Sequence, residues 1–237
     1  MKMGWSQENL KRGYVCNHEL VKFFRKIKGW PQQHLAEVAV VSVRVVCKAE
    51  SGESISTASI EKLANALSRP NQTVHPEDLI SFPIETCREF VTDLHQNRHR
   101  VVDMMEDKIE KDAVFRVTGD PERIPFAGVH HGVTNYRLAL KKFFEILEYA
   151  PDFDYENAYE FYPSGTEVVV WGNARLRPLG GDHEIRTFAH RRLFRFRRGK
   201  LFALEDQYDL EQGGQMVDAA KAVLGDKVFT PAIDSRF

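Results

Sequence analysis

Apolar residues in the first eighty positions recur at helical spacing, broken by short polar or β-branched interruptions. Between Trp30 and Gly52 the run WPQQHLAEVAVVSVRVVCKAESG places Leu35, Ala36 and Ala39 on one face of a short helix, with Pro31 suited to its first turn. Val40-Val41-Ser42 interrupts the pattern. Ser42 is a good N-cap for a second helix, with Val46 and Ala49 as its core contacts and Gly52 just past its end. Two short helices joined this tightly describe a helix-turn-helix. VKFFRKIKGW reads as a helix before them. SIEKLANAL reads as one after them, with Ile60, Leu63, Ala64 and Leu67 on one face and Ser68-Arg69-Pro70-Asn71 as its stop. His75 to Ile80 completes the set, and residues 1–17, with Trp5 and Tyr14, read as an arm or short extra helix.

The pattern stays helical from Glu85 to about Lys111, where Phe90, Val91, Leu94, Val101, Met105 and Ile109 recur every three or four residues. One long helix or two bent ones satisfy it. The period then changes. AVFRV is strand-like, TGDPERIPFAGVHHG is a loop, and NYRLALKKFFEILEYA is an amphipathic helix burying Leu138, Phe143, Phe144 and Leu147. YENAYEFY, TEVVVWGNARLR, IRTFAHRRLFRF and LFALEDQYDL follow as strands, separated by PSG, PLGGDH and RRG, and QMVDAAKAVLG is a closing helix. Helices followed by an antiparallel meander make the second half α+β. The predicted boundary divides the chain into residues 1–84 and 85–237.

These residues carry two resemblances. His18 to Leu67 resembles the five-helix DNA-binding domain of the lambda and 434 repressor/Cro (XRE-like) type, through Gln32-Gln33 with Leu35-Ala36, and Glu50 with Gly52. In that family the second central helix lies in the major groove. By position, Val43, Arg44 and Lys48 would face bases and Gln32 and Ser42 phosphates, with Arg44 suited to guanine. Where the family carries glycine in the turn, this chain has Val40, so either the turn differs or strain is accepted there. Arg98 to Met216 resembles the SnoaL-like branch of the nuclear-transport-factor-2-like (NTF2-like) superfamily, through AVFRVTGDPERIPFAGVHHGVTNYRLALKKFF and the hairpin LFRFRRGKLFALEDQYD. That resemblance implies a curved antiparallel sheet wrapped by helices into a cone with an internal cavity. Its members include isomerases, cyclases and hydrolases as well as non-catalytic binding or dimerising modules, so the fold does not choose among them.

Composition changes this picture little. The chain has 237 residues, is 43% hydrophobic and 28% charged, and carries a formal charge of −1. Residues 1–80 hold 11 Lys and Arg against 8 Asp and Glu, a mild basic excess that suits a DNA-reading unit without demanding one. No apolar run reaches the roughly 18 residues of a membrane span, and the start lacks the apolar core of a signal peptide. Cys16, Cys47 and Cys87 are odd in number and far apart, which points to reduced thiols and a cytoplasmic setting.

Strand alternation puts Phe188, His190, Arg192, Phe194 and Phe196 on one face of their strand, and Phe202, Leu204, Asp206 and Tyr208 on one face of the next. A three-residue loop with Gly199 left-handed pairs His190 with Asp206; a two-residue turn would place His190 opposite Gln207. His190 and Asp206 are the candidate catalytic pair, the carboxylate orienting the imidazole as a general base. The alternative is an ordinary cross-strand polar pair. Phe126, His130, Tyr159, Phe161, Trp171, Phe188, Phe194 and Tyr208 complete the predicted ligand pocket. His130, His131 and His183 lack companion ligands at metal spacing, and no metal or cofactor is expected. The arginines from Arg191 to Arg198 read as a solvated rim. The expectation for the whole is a DNA-binding regulator, homodimeric on a two-fold operator, whose second domain dimerises and holds a small apolar or carbonyl ligand. The alternatives are a SnoaL-like enzyme acting on such a compound and a helix-turn-helix used for protein contacts alone.

Overall fold

The computed structural model describes residues 13–180, 184–225 and 229. The first twelve residues of the predicted arm and His183 lie outside them. The chain divides into two compact units, one of Met1–Pro83 with Ser164–Thr166 and Phe196–Gly199, the other of Ile84–Pro163, Glu167–Arg195 and Lys200–Phe237.

In the first unit α1 (His18–Ile27), α2 (Gln32–Val38), α3 (Val43–Glu50) and α4 (Thr57–Leu67) surround a core that includes Val21, Phe24, Leu35, Val46, Leu63 and Leu79. Each fully buried aliphatic or aromatic side chain there contributes about 1.5–3 kcal/mol. Asn17, Ser42 and Ser56 cap α1, α3 and α4, each side-chain oxygen accepting from a first-turn backbone N–H. The predicted fifth helix is reduced to a three-residue 3₁₀ turn, Asp78–Ile80, where the Asp78 carboxylate accepts from the His75 N–H and the Ser81 hydroxyl donates back to the Asp78 carbonyl. Those bonds close the turn before an α-helix can propagate. Tyr14–Val15 (β1) is neither arm nor helix but pairs antiparallel with Ser54–Ile55 (β2). Between α2 and α3, Val40 adopts φ 53° and is 74% exposed. The position that asks for glycine is thus filled by a strained valine with no packing role.

The second unit opens with α5 (Pro83–Asn97). The helical stretch predicted to run on to Lys111 breaks there into a 3₁₀ turn, the short α6 (Val101–Met104) and another 3₁₀ turn. Ile109, expected on a helix, starts β3 (Ile109–Val117). Gly128–His131, expected in a loop, forms β4, pairing antiparallel with β3. Then come α7 (Gly132–Ile146), β5 (Leu147–Tyr149), β6 (Tyr159–Ser164), β7 (Glu167–Pro178), β8 (Arg186–Arg197), β9 (Lys200–Tyr208) and α8 (Leu210–Leu224). Phe144 and Leu147 are buried as expected, but Leu138 is exposed on α7, which also buries Tyr136, Ala139, Leu140 and Ile146.

The seven strands order as β4-β3-β9-β8-β7-β5, with β6 also on β7. β3 and β9 pair parallel, so the sheet is mixed where the sequence predicts a purely antiparallel one. A meander brings neighbours in sequence together. Here the last strand returns to pair with β3, the first strand of this sheet, and that pairing runs parallel. No helix among the described residues is long and apolar enough to cross a membrane.

Candidate functional site

Phe188, His190, Arg192, Phe194 and Phe196 alternate onto the buried face of β8. The β8–β9 connection is a two-residue turn, not the predicted three-residue loop. Arg198 and Gly199 both have positive φ (51° and 70°), the type I′ requirement, and Arg198 takes the strained place that Asn or Asp usually fills. Such a turn alone would put His190 opposite Gln207. The alternation of β9 slips in its middle, however. Leu201 and Ala203 are buried, and then Leu204 is buried directly after Ala203. In the same stretch the register of β3 on β9 shifts, from Ile109 on Leu201 to Val114 on Ala203. The slip returns Asp206 and Tyr208 to the face of His190.

Asp206 is the centre of the site. One carboxylate oxygen is hydrogen-bonded to His190 Nε2 and the other accepts from Arg192 Nε at 3.1 Å. The three side chains are 14%, 10% and 4% exposed respectively. Burial alone would raise the Asp206 carboxyl, but the charges and hydrogen bonds of His190 and Arg192 outweigh it and hold the group at about 2. Arg192 stays cationic; burial works against its charge and Asp206 more than offsets it. Burial pushes His190 below its ordinary value although Asp206 opposes this. Burial thus favours the neutral imidazole, in which the hydrogen bond to the carboxylate puts the proton on Nε2 and the lone pair on Nδ1.

These groups form one end of a cavity of about 80 Å³, whose apolar walls include Phe126, Leu140, Leu147, Leu176, Phe188 and Met216. Tyr208 stands beside the polar end, and its ring is packed so closely by α8 that a Cβ on Gly213 would approach it to 2.5 Å. His190 Nδ1, Arg192 Nη1 and the Tyr208 hydroxyl are buried without hydrogen-bond partners among the described residues. Buried polar atoms normally find partners, so three left open around one cavity make it the candidate ligand site.

Of the predicted pocket residues, the structure brings Phe126, Phe188, His190, Asp206 and Tyr208 to this cavity. The other five do not line it. His130 is buried with Nε2 3.0 Å from the Phe126 carbonyl oxygen. Tyr159 joins an aromatic cluster around His95 with Tyr149, Phe153 and Tyr155, its ring 6.3 Å from that of His190. Phe161 sits under the Arg88 guanidinium at 4.4 Å. Trp171 pairs with Arg191 on the outward face of β7 and is half exposed. Phe194 has the inward parity but packs on Phe90 of α5. Sequence reading missed the role of Arg192, counted among the rim arginines although its parity already matched that of His190. It also missed Tyr136, Phe143, Tyr149, Gly213 and Met216, which come from elements whose approach no strand alternation reveals.

In the first unit, Val43 and Arg44 are exposed at the start of α3, where the Ser42 hydroxyl accepts from the Val45 N–H. Gln32 donates to Glu50 at 2.8 Å, and its other side-chain atom accepts from Cys47 Sγ. Lys48 lies 3.4 Å from the Glu53 carboxylate.

No protein-family model and no curated protein matches the chain. Among solved structures, an NTF2-like protein from Burkholderia xenovorans is similar at 17% identity over 61% of this chain and 95% of its own, with a TM-score of 0.45. An NTF2-like protein of unknown function from Burkholderia pseudomallei is similar at 20% identity over 57% of this chain and 96% of its own, with a TM-score of 0.45. A Xanthomonas campestris protein of unknown function with a cystatin-like fold is similar at 17% identity over 57% and 95%, with a TM-score of 0.44.

Proposed function

We propose that the chain is a DNA-binding regulator whose second unit follows the NTF2-like, SnoaL-like plan and holds a small ligand. DNA reading is supported by the division of labour on α3. Val46, Ala49 and Glu50 anchor the helix in the core, while Ser42, Val43 and Arg44 at its start face solvent. That leaves a helix N-terminus free to enter a major groove, with a guanidinium able to form a bidentate bond to guanine. Gln32 and Lys48, held by Glu50 and Glu53, serve to brace the reading helix, and they reach DNA only if those contacts open. A homodimer would present two such helices to half-sites one helical turn apart.

Fluorescence anisotropy at low salt, with duplexes selected from a random pool, tests this reading. Arg44→Ala should weaken binding to the selected site by about 1–3 kcal/mol and relax one base position. Equal affinity for selected and unselected duplexes, or no effect of the substitution, overturns it.

A second reading, an enzyme acting on a carbonyl compound, is favoured by the neutral His190 with its open Nδ1. Such an atom takes a proton from carbon next to a carbonyl, and Asp206 would stabilise the imidazolium that results. The two readings part on whether a bound compound is recovered unchanged.

A further inference from the structure

The polar end of the cavity restricts its guest more narrowly than its shape does. The neutral His190 offers an acceptor at Nδ1, Arg192 offers a donor at Nη1, and the Tyr208 hydroxyl serves as either. Both oxygens of Asp206 are already engaged by His190 and Arg192. The end is also closed in charge, because the one guanidinium faces the one carboxylate.

Three kinds of guest fail against this pattern. An anion would bring a charge into a cavity walled by aliphatic and aromatic side chains, with no free cation among the described residues that line it. A simple ketone would satisfy Arg192 and leave His190 Nδ1 bare. A hydrocarbon would leave all three atoms bare.

We propose that the cavity takes a small uncharged molecule carrying a carbonyl oxygen and an adjoining N–H or O–H on one edge, as in a primary amide, a lactam or a hydroxy-ketone. The carbonyl accepts from Arg192 Nη1, the adjoining donor bonds His190 Nδ1, and the Tyr208 hydroxyl takes a remaining hydrogen or lone pair. A volume of about 80 Å³ limits the enclosed part to a few heavy atoms. This assignment rests on the reading of the cavity as a ligand site and adds the class of ligand.

The test titrates the full chain, labelled with 15N-histidine, at pH 7 against three compounds of one shape: isobutyramide, isobutyrate and 3-methyl-2-butanone. Isobutyramide is expected to shift the His190 ring resonances and to bind about tenfold more tightly than either of the others, each of which leaves a buried group unanswered. If the ketone or isobutyrate equals the amide, the ligand class is overturned and the cavity remains a ligand site. If none of the three moves the His190 resonances up to its solubility, the ligand site and the class fall together.

Discussion

In the first unit Glu50 lies buried against Arg25, and in the second Asp206 lies buried against Arg192. All three Arg25 nitrogens are used, Nε and Nη2 on Glu50 and Nη1 on the Trp30 carbonyl, and Gln32 adds a further donor to Glu50 at 2.8 Å. Around Asp206 the carboxylate is equally well served, but Arg192 Nη1 and His190 Nδ1 are left open beside a cavity. A closed network holds helices together and asks nothing further. An open one keeps the desolvation cost of its bare atoms until something binds. That difference is what makes the second cluster, and not the first, the candidate site.

Removing either carboxylate should have the largest effect. Glu50→Ala and Asp206→Ala each leave an arginine buried with no counter-charge, and each is expected to destabilise its unit by about 3–5 kcal/mol. Urea unfolding checks this, with the fluorescence of Trp30 following the first unit and that of Trp171 the second. Equal loss shows that the clusters match in charge and differ only in what they leave open.

Acid should come next and should separate the units. Burial and the charges of Arg192 and His190 hold His95 down to about 3, below its ordinary 6.5. Its unfolded form takes a proton first, so the second unit loses stability as the pH falls from about 6.5 towards 3. Asp206, at about 2 against an ordinary 3.8, contributes stability that is complete above about pH 4 and lost as the pH falls through 2. Burial would raise Glu50, but its bonds to Arg25 and Gln32 prevail and hold it below its ordinary 4.5, so its contribution is lost only below that value. The urea midpoint of the second unit should therefore begin to fall at a higher pH than that of the first. Simultaneous decline would break the comparison.

The smallest effects are the most discriminating. Gln32→Ala removes a donor from a closed network and should cost about 1–2 kcal/mol. Tyr208→Phe removes a hydroxyl that bonds nothing among the described residues and should change stability by less than about 0.5 kcal/mol while weakening ligand binding. A large loss in Tyr208→Phe would show that the hydroxyl has a partner within the fold.

The helices of the first unit were legible because their caps and apolar faces are local: Ser42 and the Ile60–Leu63–Leu67 stripe stand where the chain itself reads them, although the Ser56 cap lies three residues ahead of the predicted start at Ser59. The face shared by His190, Arg192 and Phe188 was legible from alternation alone. The route by which Asp206 joins it was not. The sequence argues for a three-residue loop because Arg198 disfavours a type I′ turn; the chain accepts that turn and recovers the register through the slip at Ala203–Leu204. Trp171 shows the opposite error, an aromatic chosen by type; the register of β7 on β8 sets it beside Arg191 on the outward face. The cavity walls from α7 and α8 depend on packing between distant segments, which no local pattern encodes.

The parallel pairing of β3 with β9 also sets an order for events during synthesis. Ile109 meets Leu201 across roughly ninety residues, so β3 and β4 emerge long before the strand that joins them to the rest of the sheet exists. At the usual pace of translation that interval lasts about 5–20 s. Until then the edge of β3 that β9 will occupy stands unpaired, a hazard for wrong partnering that closes only when the final strand arrives.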